Sequence, residues 1–466
     1  MFELKPLVIS GREVLPLVEG GKGISVSNGE SSGAWAAAGG VGTFSGVNAD
    51  SYDPEGRLIP QIYRGKTRRE RHEELVAFAI SGGIQQARIA HEVSGGRGRI
   101  HINVLWEMAA AERVLHGVLE GARGLINGVT CGAGMPYRIA EICAHYKVYY
   151  YPIVSSARAF RALWKRAYHK FRDGLGGVVY EDPWLAGGHN GLSNSEDPER
   201  PEDPYRRVVD LRRTMAAECG LPDTPIFMAG GVWYLREWAH WLDNPEIGPV
   251  AFQFGTRPLL TRESPISDAW KRRLLQLKEG DVHLNRFSPT GFYSSAVINP
   301  FIAELRGRSE RQVAYSSAPV GEHEWAFPVG ARGRLVYLTA ADKLRATAWV
   351  GHGFTEAMRT PDSTLIFVTP AEANEILTDQ INCMGCLSAC AFSNWAQNEA
   401  GSTGKKADPR SYCIQKTLQA ISHSDDTEHQ LMFAGHNAYR FGDDPFYAGG
   451  FIPTVGQLVE RLRTGD

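Results

Sequence analysis

From about residue 7 to residue 257 the chain alternates short apolar or β-branched runs with stretches of helical length. Candidate strands lie at Leu15 to Val18, Val41 to Phe44, Ile100 to Val104, Leu125 to Val129, Tyr149 to Val154, Val178 to Tyr180, Pro225 to Met228 and Val250 to Phe254. Eight such strands alternating with helices predict an α/β fold, a (β/α)8 TIM barrel, whose active site sits at the carboxyl ends of the strands. A doubly wound sheet is the alternative, but Gly20-Gly21-Lys22-Gly23 lacks the full dinucleotide spacing.

The periodicity changes after Trp270-Lys271-Arg272-Arg273-Leu274-Leu275, a candidate final barrel helix. Irregular Ser, Pro and Gly-rich text follows around Ser288 to Ser295, and then shorter elements such as Arg334 to Leu338 and Leu365 to Val368. The expectation is a barrel over residues 1–285 and an appended C-terminal α+β region over 286–466. Two loops read as insertions at strand ends: Asn48 to Glu74, which ends in the basic run Lys66 to Arg71, and Gly191 to Arg207. Long loops there cover sites or make solvated excursions. The basic run reads either as a solvated helix start or as a clamp for a phosphorylated substrate.

Composition narrows the function. Of 466 residues 43% are hydrophobic and 22% charged, and the formal net charge is -2. This balance gives no reason to expect nucleic acid or an anionic membrane as partner and suits catalysis on a small-molecule substrate. No apolar run approaches a membrane span, and Met1 to Pro6 does not read as a secretory signal. A cytosolic protein is expected. Nothing in the sequence speaks against a homo-oligomer.

Three candidate strands end in glycine: Val178 to Tyr180 leads to Ala186-Gly187-Gly188-His189, Pro225 to Met228 to Ala229-Gly230-Gly231, and Val250 to Phe254 to Gly255-Thr256-Arg257. Glycine at a strand end lets main chain approach a ligand, so a phosphate or ring system at the barrel mouth is expected. His189 then stands beside that ligand. Its bland alternative is an imidazole capping a turn.

These motifs, with Ala34 to Gly42 and Ile102-Asn103-Val104, resemble in order and spacing those of the nitronate monooxygenase (2-nitropropane dioxygenase-like) family of FMN-dependent barrels, to which FMN-dependent enoyl-ACP reductases are related. The resemblance covers roughly the first 265 residues. It implies FMN, with Gly187, Gly188, Gly230, Gly231, Gly255 and Thr256 along the phosphate and ribityl chain and Asn103 reaching the flavin. It also implies His189 as the active-site base, or a substrate-orienting donor. The family's Pro-Met pair after the first strand is replaced by Glu19-Gly20-Gly21-Lys22-Gly23. There Gly21 and Gly23 would border the cofactor, and Lys22 would either bring positive charge to the flavin or face solvent.

Seven cysteines, an odd number, argue against a disulfide framework. Cys383, Cys386 and Cys390 form C-x₂-C-x₃-C and Cys413 follows, a three-plus-one arrangement that suits a [4Fe–4S] cluster. Zinc, which also takes four thiolates, is the second reading, and unrelated buried cysteines the third. The run is also similar to the cluster motif of FMN and [4Fe–4S] barrel reductases of the dienoyl-CoA reductase type, although the gap to the fourth cysteine is longer here. With a cluster, the alternative function is an ene- or quinone-type reductase fed by an electron donor such as NAD(P)H or a redox protein. A flavin-binding protein with a zinc-stapled interaction domain is a further alternative. Cys131, Cys143 and Cys219 read as packing residues, as do Trp233, Trp238 and Trp241.

Overall fold

Parallel strands covered on both faces form the centre of the molecule. In the computed structural model β1 (Leu7–Ile9) and β2 (Arg12–Val14) make a hairpin below the barrel. The barrel itself is β3 (Leu17–Glu19), β4 (Val41–Ser45), β5 (Arg99–Leu105), β6 (Gly128–Gly132), β7 (Tyr149–Val154), β8 (Val178–Glu181), β10 (Ile226–Ala229) and β11 (Val250–Phe254), with β9 (Gly188–His189) standing outside it. All eight pairings are parallel, and the ring closes through β11 on β3, with Phe252 opposite Leu17. Every residue of β3, β4, β6, β10 and β11 is buried. Residues 3–132, 134–330 and 332–466 are described; Met1 and Phe2 of the amino-terminal run, Ala133 of the turn after Cys131, and Ala331 lie outside the described residues.

The eight expected strands are the eight barrel strands. One is displaced: the run expected at Leu125 to Val129 becomes β6, Gly128–Gly132. Leu125 closes a turn on Ala122, and Asn127 caps the end of β5 by accepting from the Ile100 amide at 3.0 Å, so the ladder begins at Gly128 opposite His101.

The loop after β4 leads into a helix of 27 residues, Arg68–Ser94. Its start is fixed by a capping box between Thr67 and Glu70 and its end by Gly95 in the left-handed region. Beyond the barrel, β12 (Val282–Asn285) and β13 (Ser294–Val297) form an antiparallel sheet with β9, with Ser294 opposite His189. Next, β14 (Gln312–Ala314), β15 (Trp325–Val329), β16 (Arg334–Leu338), β17 (Glu356–Arg359) and β18 (Thr364–Val368) make a three-stranded sheet and a hairpin around a small core of Val313, Phe327, Val336, Leu338 and Phe367. A short pair, β19 (Ala389–Cys390) and β20 (Trp395–Ala396), follows in the cysteine segment.

The chain then returns to the barrel. Arg257, fully buried after β11, lies 3.5 Å from the buried Asp444 carboxylate and 5.1 Å over the ring of Trp233. The Trp233 indole donates to the same carboxylate at 3.1 Å. A buried ion pair needs such extra hydrogen bonds to offset its desolvation, and here they fasten residues 432–444 over the strand ends. Trp233, Trp238 and Trp241 are buried packing residues, as their spacing suggests. Among the described residues no helix is long and apolar enough to cross a membrane.

Candidate active site

The glycine-ended strands converge. Gly21, Lys22, Gly23, Asn103, Gly187, Gly188, His189, Gly230, Gly231, Gly255 and Thr256 all line one cavity at the carboxyl ends of the strands. A methyl group added at Gly255 would meet no heavy atom within 4 Å, so the missing side chain leaves its space to the cavity. Gly231 sits at φ +77°, and a Cβ there would stand 2.6 Å from the Leu185 side chain, so only glycine gives this turn. A cradle of this kind fits the phosphate and ribityl chain of a flavin nucleotide. The Thr256 hydroxyl accepts from the Gly435 amide at 2.9 Å. Met432, Phe433, Ala434, Gly435 and Asn437 form the opposite wall. Sequence reasoning missed this wall, because nothing in residues 432–437 has the spacing of a ligand motif.

His189 is held by the pairing of β9 with β13, and its Nε2 lies 2.6 Å from the Ser288 hydroxyl. Burial pushes its pKa down to about 4, so the imidazole is neutral at ordinary pH. It faces a second space, a cleft of about 1270 Å³ that is also lined by Asn190 to Glu196 and by Arg207 of the loop expected to cover the site. Glu181, the last residue of β8, borders both the cavity and the cleft. Burial first and the neighbouring Asp182 second raise its pKa to about 8, so it is a neutral acid at pH 7. In the sequence Glu181-Asp182-Pro183-Trp184 is an unusual lead into the histidine motif with no role read from it; the signal that could have found Glu181 is an acid at the end of an apolar strand.

Of its two expected positions, Lys22 does not take the solvent-facing one: it lines the cavity. Its ammonium is buried and bonds the Gly20 carbonyl at 3.0 Å and the Glu19 carboxylate at 3.3 Å. Burial lowers its pKa while Glu19, itself held by Ser31 and Ser32, opposes that shift. The charge is therefore balanced within the strand-end turn and does not face solvent.

Cys386, with Leu387 and Ile414, closes one side of the cavity. Cys383, Cys386, Cys390 and Cys413 belong to one apolar cluster, and all are free thiols. Burial raises the Cys386, Cys390 and Cys413 thiols, and charge on other members of the four raises each further. Among the described residues no group of three or more His, Cys, Asp or Glu side chains is placed to hold a metal ion. The zinc reading needs four thiolates meeting at one point, and this arrangement does not provide it.

The basic run opens the helix Arg68–Ser94 with Lys66 and Arg69 exposed, as the helix-start reading expects, and its other members have further partners. Arg68 donates to the carbonyls of Ser393 and Gln380, both at 2.8 Å. Arg71 donates to those of Cys383 at 3.1 Å and Ile381 at 2.8 Å, and His72 Nδ1 bonds the Gly385 carbonyl at 3.0 Å. These side chains grip the cysteine loop, and none of them lines the cavity. Cys131, Cys143 and Cys219 are buried, in keeping with packing.

No curated sequence matches the chain. The structure is similar to that of a nitroalkane oxidase from Streptomyces ansochromogenes, at 14% identity and a TM-score of 0.51 over 97% of this chain and 95% of that one. It is similar also to the enoyl reductase domain of MlnA from Bacillus amyloliquefaciens, at 10% identity and 0.51 over 97% and 93%. FabK from Thermotoga maritima aligns at 14% identity with a TM-score of 0.49, over 97% and 92%. At these identities the likeness to the nitroalkane oxidase and the MlnA domain speaks for the barrel fold alone. The family model for nitronate monooxygenase matches residues 126–464, so it extends through the cysteine segment, well past residue 265 where the motif resemblance ends. The chain belongs to the nitronate monooxygenase family and, with it, to the FMN-dependent oxidoreductases.

Proposed function

We propose that this enzyme oxidises a nitroalkane or its nitronate, with His189 as the base. The observation that carries the reading is His189 itself, a neutral imidazole bordering both the glycine-lined cavity and the cleft. Main-chain amides of Gly187, Gly188, Gly230, Gly231 and Gly255, with Thr256, would hold the FMN phosphate and ribityl chain, and Gly21, Lys22, Gly23 and Asn103 the ring. Bound FMN supplies the acceptor for an electron pair. In this reading residues 1–285 provide the cofactor's cradle, and residues 286–466 provide Ser288 and the opposite wall.

A base whose pKa lies near 4 removes only a proton that is already labile. A nitro group makes the adjacent C–H acidic in this way, because the resulting charge moves onto its oxygens. Ser288 orients the imidazole through the 2.6 Å contact. Glu181, neutral at working pH, is a hydrogen-bond donor for those oxygens. The test compares a nitroalkane with its preformed nitronate as substrates of the FMN-loaded protein. His189→Ala is expected to keep FMN, to lose about 10²- to 10⁴-fold in kcat on the nitroalkane, and to lose far less on the nitronate, which needs no proton removed. Absence of turnover on both by the unaltered protein overturns the reading.

One observation favours a second reading: Cys386 forms part of the cavity wall. It supports an ene- or quinone-type reductase supplied by NAD(P)H or a redox protein. Reduction of an activated alkene or a quinone, with no nitronate consumed, would select it.

A further inference from the structure

Nothing in nitronate oxidation calls for four cysteines beside the cavity, yet the chain brings them to one apolar cluster, two of them buried and Cys386 and Cys413 half-buried. Cys383 and Cys390 are 7% and 6% exposed. The Ser393 hydroxyl donates to the Cys383 sulfur at 3.1 Å, and the Gly385 amide points at the same sulfur at 3.4 Å. Cys413 is the N-cap residue of the helix Ile414–His423. A helix N-terminus adds positive potential beside Cys413.

The loop is built to hold this shape. Gly385 adopts φ +68°, and a Cβ there would stand 2.6 Å from the Trp395 indole. From the barrel, Arg68, Arg71 and His72 bond the carbonyls of Ser393, Cys383 and Gly385. Four thiolates carry more negative charge than a buried site tolerates without metal and nearby cations. A disulfide does not relieve it, since all four are free. A single ion does not fit, since the donors do not converge on one point. A cubane cluster puts each thiolate on a separate iron, so its ligands stand apart around a common centre.

We propose that Cys383, Cys386, Cys390 and Cys413 bind a [4Fe–4S] cluster behind the flavin cavity, and that Arg68, Arg71 and His72, on the first turns of the helix Arg68–Ser94, are positioning residues that hold the cluster loop against the barrel. Cys386 is the ligand that also borders the flavin cavity. The site is independent of the substrate assigned above, so nitronate turnover can fail while the cluster stands.

The experiment is metal analysis of the full chain purified without oxygen and, in parallel, reconstituted with ferrous iron and sulfide. The expected result is about four irons and four acid-labile sulfides per chain. Dithionite should then produce a fast-relaxing electron paramagnetic resonance signal, distinct from a flavin radical, that is visible only at low temperature. Cys386→Ser and Cys413→Ser should each lose most of the iron while keeping FMN, and Cys219→Ser should keep it. Stoichiometric zinc overturns the proposal, as does a reconstituted protein that titrates as free thiols with no bound iron. Full iron retained in both Cys386→Ser and Cys413→Ser overturns this ligand set. Should either serine variant fail to fold, the iron and sulfide content of the unaltered protein still decides.

Discussion

On the barrel side of the flavin cavity the lining is largely main chain, from Gly187, Gly231 and Gly255 at three strand ends; on the side of Cys386, Leu387 and Ile414 it is side chain. The first wall comes from strands adjacent in one sheet, so its shape is set by the barrel's register. The second is held in place by residues more than 300 positions away, through bonds such as Arg71 to the Cys383 carbonyl. A wall of amides accommodates a ligand only if side chains stay out of it. A wall of side chains stands only if something distant holds it in place. The two should therefore fail differently.

The largest effect is expected at Gly255. A Cβ at residue 255 meets no protein atom, so in Gly255→Ala thermal stability should hardly change, while FMN affinity falls at least 100-fold (about 2.7 kcal/mol) because the methyl occupies the ligand's space. Flavin fluorescence titration beside a melting curve reads both quantities, and a large drop in melting temperature would break the distinction drawn here.

Glu181 comes next. Its folded pKa near 8 exceeds the ordinary carboxyl value, so its contribution to stability is full in acid and is lost as the pH rises through about 8. Glu181→Gln should remove that decline, and the unaltered protein should lose on the order of a few kcal/mol more than the variant between pH 5 and 8. Urea unfolding at both pH values measures it.

The smallest effect belongs to the far wall. Arg71→Ala leaves the carbonyls of Cys383 and Ile381 without their donor, at a cost of about 1–3 kcal/mol. It should speed proteolysis between residues 381 and 393 without changing FMN affinity. Equal loss of FMN would show that the two walls are one unit.

The contrast also explains what the sequence discloses. Strands such as Val178-Val179-Tyr180 are apolar at every position because both faces are covered, and the glycine pairs follow them at fixed distance, so barrel and cradle are legible as local text. The cysteine spacing is legible for the same reason. Its support is not: Arg68 and Arg71 look like any exposed basic run until the fold brings Ser393 and Cys383 to them. Glu181 reads as part of a turn, and its raised pKa arises from the packing around it. The wall at Met432 to Asn437 has no pattern of its own, since its role depends on the Arg257 and Asp444 pair far from it in sequence.

That pair also sets an order of events during synthesis. The last barrel strand ends at Phe254, but Asp444 and the wall it fastens leave the ribosome about 190 residues later. At about 5–20 residues per second this leaves the barrel mouth uncovered for roughly 10 to 40 seconds. The cradle thus gains this wall only once residue 444 has emerged, and a nascent chain stalled before it would be a barrel with an uncovered mouth.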